Sequence, residues 1–268
     1  MKNIVKNIII TSLTLSLILP ANMVFANSEI DDNNTSKLGN ALEALQNTKM
    51  SSTKKAELAT KIMNNSSTEE KEEYLDEVED IVRDFLAEEV VFDSDSEQVY
   101  DLGSGLEFHF NATDKPITTN VINSSDDQNF SVNGYDPGPY QGRVKLYGDR
   151  LYNAYMKVVS TGVTIGTLQL ANGYSVGDYG LKMRYARTTG TSGIYPFVTI
   201  SSSSASITDA LAEKVGYNMN AVGQYSWTLG IDKVGKSFTS SITSTIKLQS
   251  LDKVKKSAYV VQSYNFVE

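Results

Sequence analysis

Residues 230–237 (GIDKVGKS) match the phosphate-binding pattern G-x-x-x-x-G-K-[ST] at every position. A working phosphate loop follows a strand and opens a helix, whose N-terminal amide groups hold the phosphates. Residues 225–229 have strand character, but residues 238–248 are mostly Ser, Thr and Ile, which disfavour a helix. The sequence therefore predicts a β-hairpin and no nucleotide site. We expect two glycines to supply freedom in its turn and three charged side chains to face water: Gly230, Gly235, Asp232, Lys233 and Lys236.

The chain has one histidine, His109, in the strand-like residues 105–110. It alternates with Leu106, Phe108 and Phe110, so we expect it on the opposite face of that strand. A Ser-His-Asp hydrolase would have to use this one histidine, and no catalytic partner for it is evident in the sequence. With a single histidine and no cysteine, the sequence predicts no metal site and no cofactor.

Carboxylate chemistry stays open, because a glycosidase needs only two acids at the right separation. Most of the candidates lie beside Gly, Asn or Ser in expected turns, where aspartate is common for backbone reasons alone. Nothing in the sequence pairs any two of them, so a non-catalytic protein is the favoured prediction. The candidates are Asp101, Glu107, Asp114, Asp126, Asp127, Asp136, Asp149, Asp178, Asp209, Glu213, Asp232 and Asp252.

Two tyrosines, Tyr135 and Tyr140, are the candidate binding residues. They lie in residues 133–142 (NGYDPGPYQG), a loop with two prolines and three glycines that is stiff in places because proline fixes φ. Exposed tyrosines suit sugar stacking and protein recognition, because they offer a large area at little entropic cost. The alternative is that they are half-buried strand residues.

From Val99 onward, apolar and polar residues alternate, and Gly or Asn interrupts them at short intervals, which predicts an all-β domain over residues 99–268. Helices of crossover length are missing, which favours an antiparallel β-sandwich or a barrel-like arrangement. Residues 208–215 fit one or two helical turns instead. The predicted strands are residues 105–110, 117–122, 143–147, 152–159, 163–170, 181–185, 195–201, 224–229, 238–248 and 257–267.

Residues 199–206 and 237–245 alternate small polar with apolar residues. Along the predicted strand 238–248, Phe238, Ile242 and Ile246 fall on one face and threonines on the other. Membrane-inserting β-hairpins share this alternation, and so do the outer strands of ordinary sandwiches. The pattern keeps a pore-forming function open as an alternative.

Residues 27–98 differ from the rest of the chain, with 19 acidic and 7 basic residues against 13 and 15 in residues 99–268. Three short amphipathic helices are expected, capped by Ser36, Ser52 and Ser67. The third opens with a capping box, STEE, and carries a run of Glu and Asp on its outer face. This acidic helical segment is either a solvated helix face or a propeptide or regulatory region, and it ends in a flexible linker.

Residues 1–26 predict a signal peptide: Lys2 and Lys6 precede an apolar run, and small residues precede a cleavage point after Ala26. We therefore expect a secreted, extracellular protein, and the composition favours a bacterial origin. The absence of cysteine means that the core alone must hold the fold.

Together these features predict a secreted, non-catalytic protein that binds or interacts through its all-β domain. Its partner would be a cell-wall glycan, a protein or a membrane surface, and the near-neutral β domain predicts no nucleic-acid partner. The alternatives are a pore-forming or antimicrobial protein with an acidic propeptide, and a carboxylate-dependent carbohydrate-active enzyme.

Overall fold

The computed structural model of this protein describes residues 35–87, 90–93, 97–117, 144–193 and 197–267. The predicted signal peptide and the predicted binding residues Tyr135 and Tyr140 lie outside these ranges. Most of the predicted strand 117–122 lies outside them as well.

Three helices open the described chain: α1 (Lys37–Gln46), α2 (Ser52–Asn65) and α3 (Thr68–Ala87). The side-chain oxygen of Ser36 accepts a hydrogen bond from the Gly39 amide at 3.0 Å, so this predicted cap is confirmed. The predicted cap at Ser52 is wrong, because Ser52 is already the first helical residue. Ser51 precedes it and makes no side-chain capping bond.

The capping box before α3 is confirmed. The Glu70 carboxylate accepts from the Ser67 amide at 2.9 Å, and the Ser67 hydroxyl accepts from the Glu70 amide at 3.2 Å. Two backbone donors that a helix start leaves open are thereby satisfied.

Twelve strands follow in the described part of the chain. They are β1 (Val90–Asp93), β2 (Gln98–Gly103), β3 (Leu106–Pro116), β4 (Val144–Leu146), β5 (Gly148–Ser160), β6 (Val163–Gly177), β7 (Gly180–Ser192), β8 (Phe197–Asp209), β9 (Leu211–Ala212), β10 (Asn218–Ile231), β11 (Val234–Asp252) and β12 (Ser257–Val267). Residues 208–215 form strand ends and a short loop, so the predicted helical turns there are wrong.

The strands form two antiparallel sheets, one of which curls into a half-barrel, so the predicted antiparallel β fold is confirmed. Sheet A has the order β1-β12-β11-β10-β8, with β4 also beside β12. Sheet B has the order β2-β3-β5-β6-β7-β9.

Period-two alternation decides which side of each strand enters the core. On β11, Phe238, Ile242 and Ile246 are buried, whereas Thr239 is exposed and Thr243 is half-buried. The core between the sheets therefore receives the apolar side of β11, and the hydroxyl side faces outward.

Helix α3 belongs to the same core. Its apolar stripe begins with the adjacent Tyr74 and Leu75 and continues every three or four residues with Val78, Val82 and Leu86, and each of these side chains is at most 1% exposed. These side chains join one continuous buried cluster with residues of both sheets. The helical segment and the β strands accordingly form one compact unit over residues 35–268.

The stretch GIDKVGKS forms the turn of the β10–β11 hairpin, as predicted. Ile231 pairs with Val234 across a two-residue turn, and no helix begins at Lys236. Two details of the prediction are wrong. The positive φ of 55° belongs to Asp232 rather than to a glycine of the stretch. The side chain of Lys236 is bound to α3 instead of facing water.

Gly105, in the turn between β2 and β3, packs closely against α1. Gly105 has φ +75°, and a Cβ there would lie 2.8 Å from Cβ of Leu42 on α1. Gly103, in the same turn, has φ +80° and open space around its Cβ position.

We expect Gly103→Ala to cost about 1–2 kcal/mol for the left-handed backbone alone. Gly105→Ala should cost about 1–3 kcal/mol more, because the added methyl also overpacks the contact with α1. Urea unfolding of both variants measures the difference. Equal losses would show that α1 tolerates the displacement.

Candidate functional site

Exposed apolar side chains concentrate at one end of the molecule. Of the eight large hydrophobic residues that are exposed in the described part of the chain, seven lie at this end. We call it the apolar end and define it by these residues: Val144, Leu146, Tyr179, Leu211, Val215, Tyr217 and Val254. A concentration of this kind marks an interaction surface, because single exposed hydrophobic residues are normally scattered.

Strand pairing brings the first part of the apolar end together. Leu146 pairs with Ser257, and Val144 pairs with Tyr259, at the start of β12. The burial of β4 alternates, so Lys145 points inward while Val144 and Leu146 point outward. This places β4 directly beside the turn between β11 and β12.

The remaining turns are joined to it by hydrogen bonds and close packing. The Tyr147 hydroxyl donates to Asp178, in the β6–β7 turn, at 3.1 Å. The Gly216 amide donates to the Leu248 carbonyl at 2.7 Å, and the Leu248 amide donates to the Tyr217 carbonyl at 2.9 Å. The segment that carries Val215 and Tyr217 is thus fixed to the end of β11.

The β11–β12 turn holds the most exposed of these residues, Val254, which is 94% exposed. The Asp252 carboxylate accepts hydrogen bonds from the amides of Val254 (3.1 Å) and Lys255 (2.9 Å), and Lys256 has a φ of 49°. This ordered turn presents a valine between Lys253 and Lys255.

Lysines accompany the apolar residues at this end. Five exposed lysines lie here, at Lys182, Lys214, Lys253, Lys255 and Lys256, together with four acidic residues, Asp178, Asp209, Glu213 and Asp252. Residues 253–256 alone (KVKK) carry three positive charges. Helix α3 at the opposite end has nine acidic and two basic residues. The molecule is therefore polarised along the strands of sheet A.

A buried ionic cluster lies beneath the apolar end and ties the two sheets together. Its centre is the Asp114 carboxylate on β3, whose side chain is 4% exposed. Lys145 Nζ and Arg150 Nε each lie 3.0 Å from it. The Tyr174 hydroxyl donates to it at 2.7 Å, and Gln262 Nε2, on β12 of sheet A, donates at 2.6 Å.

Two pKa shifts in this cluster favour the protonated forms of its donors, Tyr174 and Arg150. Burial raises the pKa of Tyr174 well above its usual value, and the Asp114 charge raises it further, so the hydroxyl remains a donor. Burial lowers the pKa of Arg150, but the charge and hydrogen bond of Asp114 outweigh this effect, so the net shift is upward. The cluster thus holds one carboxylate between two cations, an arrangement that anchors β4.

At the other end of sheet A, α3 binds the β10–β11 turn. Lys71 Nζ lies 2.6 Å from the Asp232 carboxylate, and Lys236 Nζ lies 2.9 Å from Glu79 and also contacts Asp76. Arg83 donates to the Ser237 carbonyl at 3.2 Å. Its guanidinium lies 5.4 Å from the centre of the Phe238 ring.

The pKa shifts of Glu79 and Lys236 define the pH range over which this contact stabilises the fold. The hydrogen bond from Lys236, followed by that from Arg83, lowers the pKa of Glu79 below 4.5. Its stabilisation is present above that value and is lost as pH falls through the lowered pKa. The hydrogen bonds to Asp76 and Glu79 raise the pKa of Lys236 above 10.5, so its contribution is lost only as pH rises past the raised value.

His109 lies opposite its apolar neighbours, as predicted, but it has partners. Its Nε2 is 2.7 Å from Glu107, and its Nδ1 is 3.7 Å from Glu97. Glu97 also binds Lys157 at 3.0 Å, and Glu107 accepts from Gln46 Nε2 at 2.5 Å. Both carboxylates are therefore occupied by side chains of the protein.

The carboxylate pair needed by a glycosidase calls for one acid with a raised pKa. Of the candidate acids, Asp114 lies 3.0 Å from both Lys145 Nζ and Arg150 Nε, and Glu107 lies 2.7 Å from His109 Nε2. Both carboxylates are thus engaged by side chains of the protein. Asp126, Asp127 and Asp136 lie outside the described residues. Within the ranges that the structure covers, no cluster of three or more His, Asp or Glu residues is placed to hold a metal ion.

The pattern of a serine-hydrolase nucleophile elbow, G-x-S-x-G, occurs at residues 173–177 (GYSVG). A nucleophile elbow is a sharp turn between a strand and a helix. Residues 173–177 instead lie within β6, where Ser175 is 2% exposed and accepts a hydrogen bond from Tyr179 at 2.6 Å. The pattern therefore builds no elbow here.

No known protein family matches the chain, and neither does any curated protein or solved structure. None of the helices described here combines the length and the apolar character that crossing a membrane requires.

The buried cluster gives a stability prediction. Asp114→Asn leaves Lys145 and Arg150 buried without their counter-charge, so we expect a loss of about 3–5 kcal/mol in the free energy of unfolding. The matched control is Asp149→Asn, which removes an exposed pair with Arg184 at 3.1 Å. It should cost at most about 1 kcal/mol. Urea denaturation of both variants measures the two losses. Similar midpoints would contradict the anchoring role of Asp114.

Proposed function

We propose that this protein is a non-catalytic binding protein that attaches to anionic membrane surfaces through its apolar end. The observation that carries the proposal is the coincidence of exposed apolar side chains with the lysines of residues 253–256. The two motif matches in the sequence do not compete with it, because the phosphate-loop pattern is a hairpin turn and the hydrolase pattern is a strand.

The two kinds of side chain fit the two layers of a membrane surface. Apolar side chains such as Val254 gain free energy when they leave water for the acyl boundary. Tyrosines such as Tyr179 and Tyr217 suit the level of the headgroups, because their rings are apolar and their hydroxyls polar. Lysines beside them attract anionic headgroups, each contributing about 1 kcal/mol near the surface.

The opposite end supports this orientation. Its acidic helix α3 is repelled by an anionic surface, so the protein would approach with the KVKK turn first. Export from the cell, which the first 26 residues predict, would give the protein access to such a surface.

Charge reversal in the turn tests the electrostatic part of the proposal. Lys253→Glu/Lys255→Glu should reduce binding to phosphatidylglycerol vesicles by more than about 30-fold, since two attractive charges of about 1 kcal/mol each are lost and two repulsive charges replace them. The control, Lys54→Glu/Lys61→Glu, makes the same charge change on exposed positions of α2. Co-sedimentation measures both, and equal binding by the two variants would overturn the proposal.

The apolar part is tested at a single residue. Val254→Ser removes an exposed apolar side chain without changing the charge or burying anything in the folded protein. We expect roughly tenfold weaker vesicle binding, corresponding to about 1–1.5 kcal/mol of lost burial. Unchanged binding would show that Val254 stays in water.

Size-exclusion chromatography at low salt tests the alternative partner of the apolar end, which is the acidic helix α3 of a second copy of the protein. If the protein forms oligomers that the Lys253→Glu/Lys255→Glu variant abolishes, and vesicles do not bind, the apolar end is a self-association surface. A monomer that binds vesicles supports the proposal.

A further inference from the structure

The β10–β11 hairpin contains a paired segment without charged side chains. Residues 219–228 pair with residues 237–246, giving ten residues on each strand, and neither segment contains Asp, Glu, Lys, Arg or His. Lysines bound it at both ends, since Leu229 pairs with Lys236 and Asn218 with Lys247. A strand that crosses the hydrocarbon core of a membrane needs about 9–11 residues.

This segment is also amphipathic with the period of a strand. Its inward side carries Trp227, Phe238, Ile242 and other buried side chains, whereas its outward side carries Ser, Thr, Gln and Asn, with Val222 as the exception. The inward Ser240 accepts a hydrogen bond from Trp227 Nε1 at 3.0 Å, within the hairpin itself. One side therefore suits lipid and the other suits water.

The outward side forms part of an open groove of about 450 Å³. Serines of β8 line it together with Gln224, Ser226, Thr239 and Ser241. Other strands also have long uncharged runs, since β6 and β12 contain no charged side chain and β8 has none before Asp209. The hairpin differs from them because its two uncharged segments follow each other in the chain and are joined by a two-residue turn.

The hairpin is a unit within its sheet. Its fourteen pairs run from Asn218–Lys247 to Ile231–Val234 in unbroken register. Against β8, the register of β10 shifts near Asn220 and again near Ser226, and β12 pairs with β11 only from Ser241 onward. The hairpin is therefore paired more regularly than the border with β8, and over more of β11 than the border with β12.

The hairpin is attached to the apolar end by its base, a position that favours insertion into a membrane bound there. Its base lies there, since β10 follows Tyr217 and β11 leads into the KVKK turn. Its turn lies at the other end, where Lys71, Asp76 and Glu79 of α3 bind it. A hairpin that turned about its base would direct its tip into a membrane bound at the apolar end.

We infer that the β10–β11 hairpin is a membrane-inserting unit, which α3 retains in the folded protein through the contacts around Asp232 and Lys236. The inference rests on the proposed membrane binding, which brings the base of the hairpin to the bilayer. Insertion breaks the pairing with β8 and β12, and backbone groups at an open edge are not tolerated in lipid. Hairpins of several copies must therefore pair with one another, so insertion depends steeply on the density of bound protein.

Charge exchange across the α3 contact tests the retention. Lys236→Glu places a negative charge beside Asp76 and Glu79, which repel it. Asp76→Lys/Glu79→Lys places two positive charges beside Lys236, which repels them. Each should accelerate dye release from phosphatidylglycerol vesicles at least tenfold over the wild-type protein. The triple variant that exchanges all three charges restores attraction and should return release to the wild-type rate.

Two controls separate this effect from general destabilisation. Lys61→Glu, an equal charge change on α2, should leave release unchanged. Gly105→Ala destabilises the protein away from the hairpin turn and should not release dye at the rate of Lys236→Glu. If all destabilised variants release dye equally, or if the triple variant stays fast, retention by α3 is overturned.

The absence of cysteine allows a direct test of where the tip goes. Lys233→Cys places one thiol in the hairpin turn, and Lys253→Cys places one at the base. Each is combined with Lys236→Glu and added to vesicles. With a membrane-impermeant maleimide outside, the bound Lys233→Cys variant should become protected and should react with the same reagent trapped inside. The Lys253→Cys variant should remain reactive from outside.

The measurement is made on the vesicle-bound fraction, so the two proposals can fail separately. Protein that does not sediment with vesicles contradicts the proposed function. A bound Lys233→Cys variant whose thiol stays reactive from outside contradicts only the insertion of the hairpin, even if dye escapes.

Discussion

The burial of the apolar side of α3 is the constraint on which the rest of the structure depends. Five side chains of this helix, from Tyr74 to Leu86, are almost completely removed from water and share one core with both sheets. Burial raises the pKa of Tyr74, and the nearby Glu77 adds to the effect, so its hydroxyl stays protonated and donates to the Ser104 carbonyl at 3.3 Å. Each large apolar side chain of this kind contributes about 1.5–3 kcal/mol. A helix with nine acidic residues is thereby fixed at one end of the molecule, and the ion pairs to the β10–β11 turn follow from that placement.

Much of the fold is predictable from local pattern, because alternation and capping are local. The capping box before α3, the two-residue hairpin and the C-terminal strand 257–267 all follow from neighbouring residues. Residues 208–215 are harder, because an apolar–polar pattern of eight residues does not distinguish a helical turn from strand ends. The positive φ at Asp232 is not predictable from residue type. Gly230 and Gly235 flank the turn, and glycine adopts a positive φ more readily than aspartate, although aspartate tolerates it.

The site is less predictable than the fold, because it is assembled from distant turns. A valine between lysines at residues 253–255 is visible in the sequence, but its meaning depends on Leu146, Tyr179 and Val215 arriving at the same end. The partners of Asp114 come from β4, β5, β6 and β12, so no spacing rule identifies them. Tyrosines such as Tyr135 and Tyr140 stand out in a sequence because their chemistry is recognisable one residue at a time. A surface made of ordinary residues is recognisable only once strand order is known.

The pairing of β1 with β12 has a consequence for how the chain acquires its structure. Residues 90–93 find their partners at residues 263–266. Synthesis must therefore pass residue 266 before β1 can complete its pairing. Contacts at such long sequence separation make folding slow, because a large loop must close before they form. The chain consequently remains without its final structure while it is being made, which is the state in which a polypeptide can be threaded across a membrane.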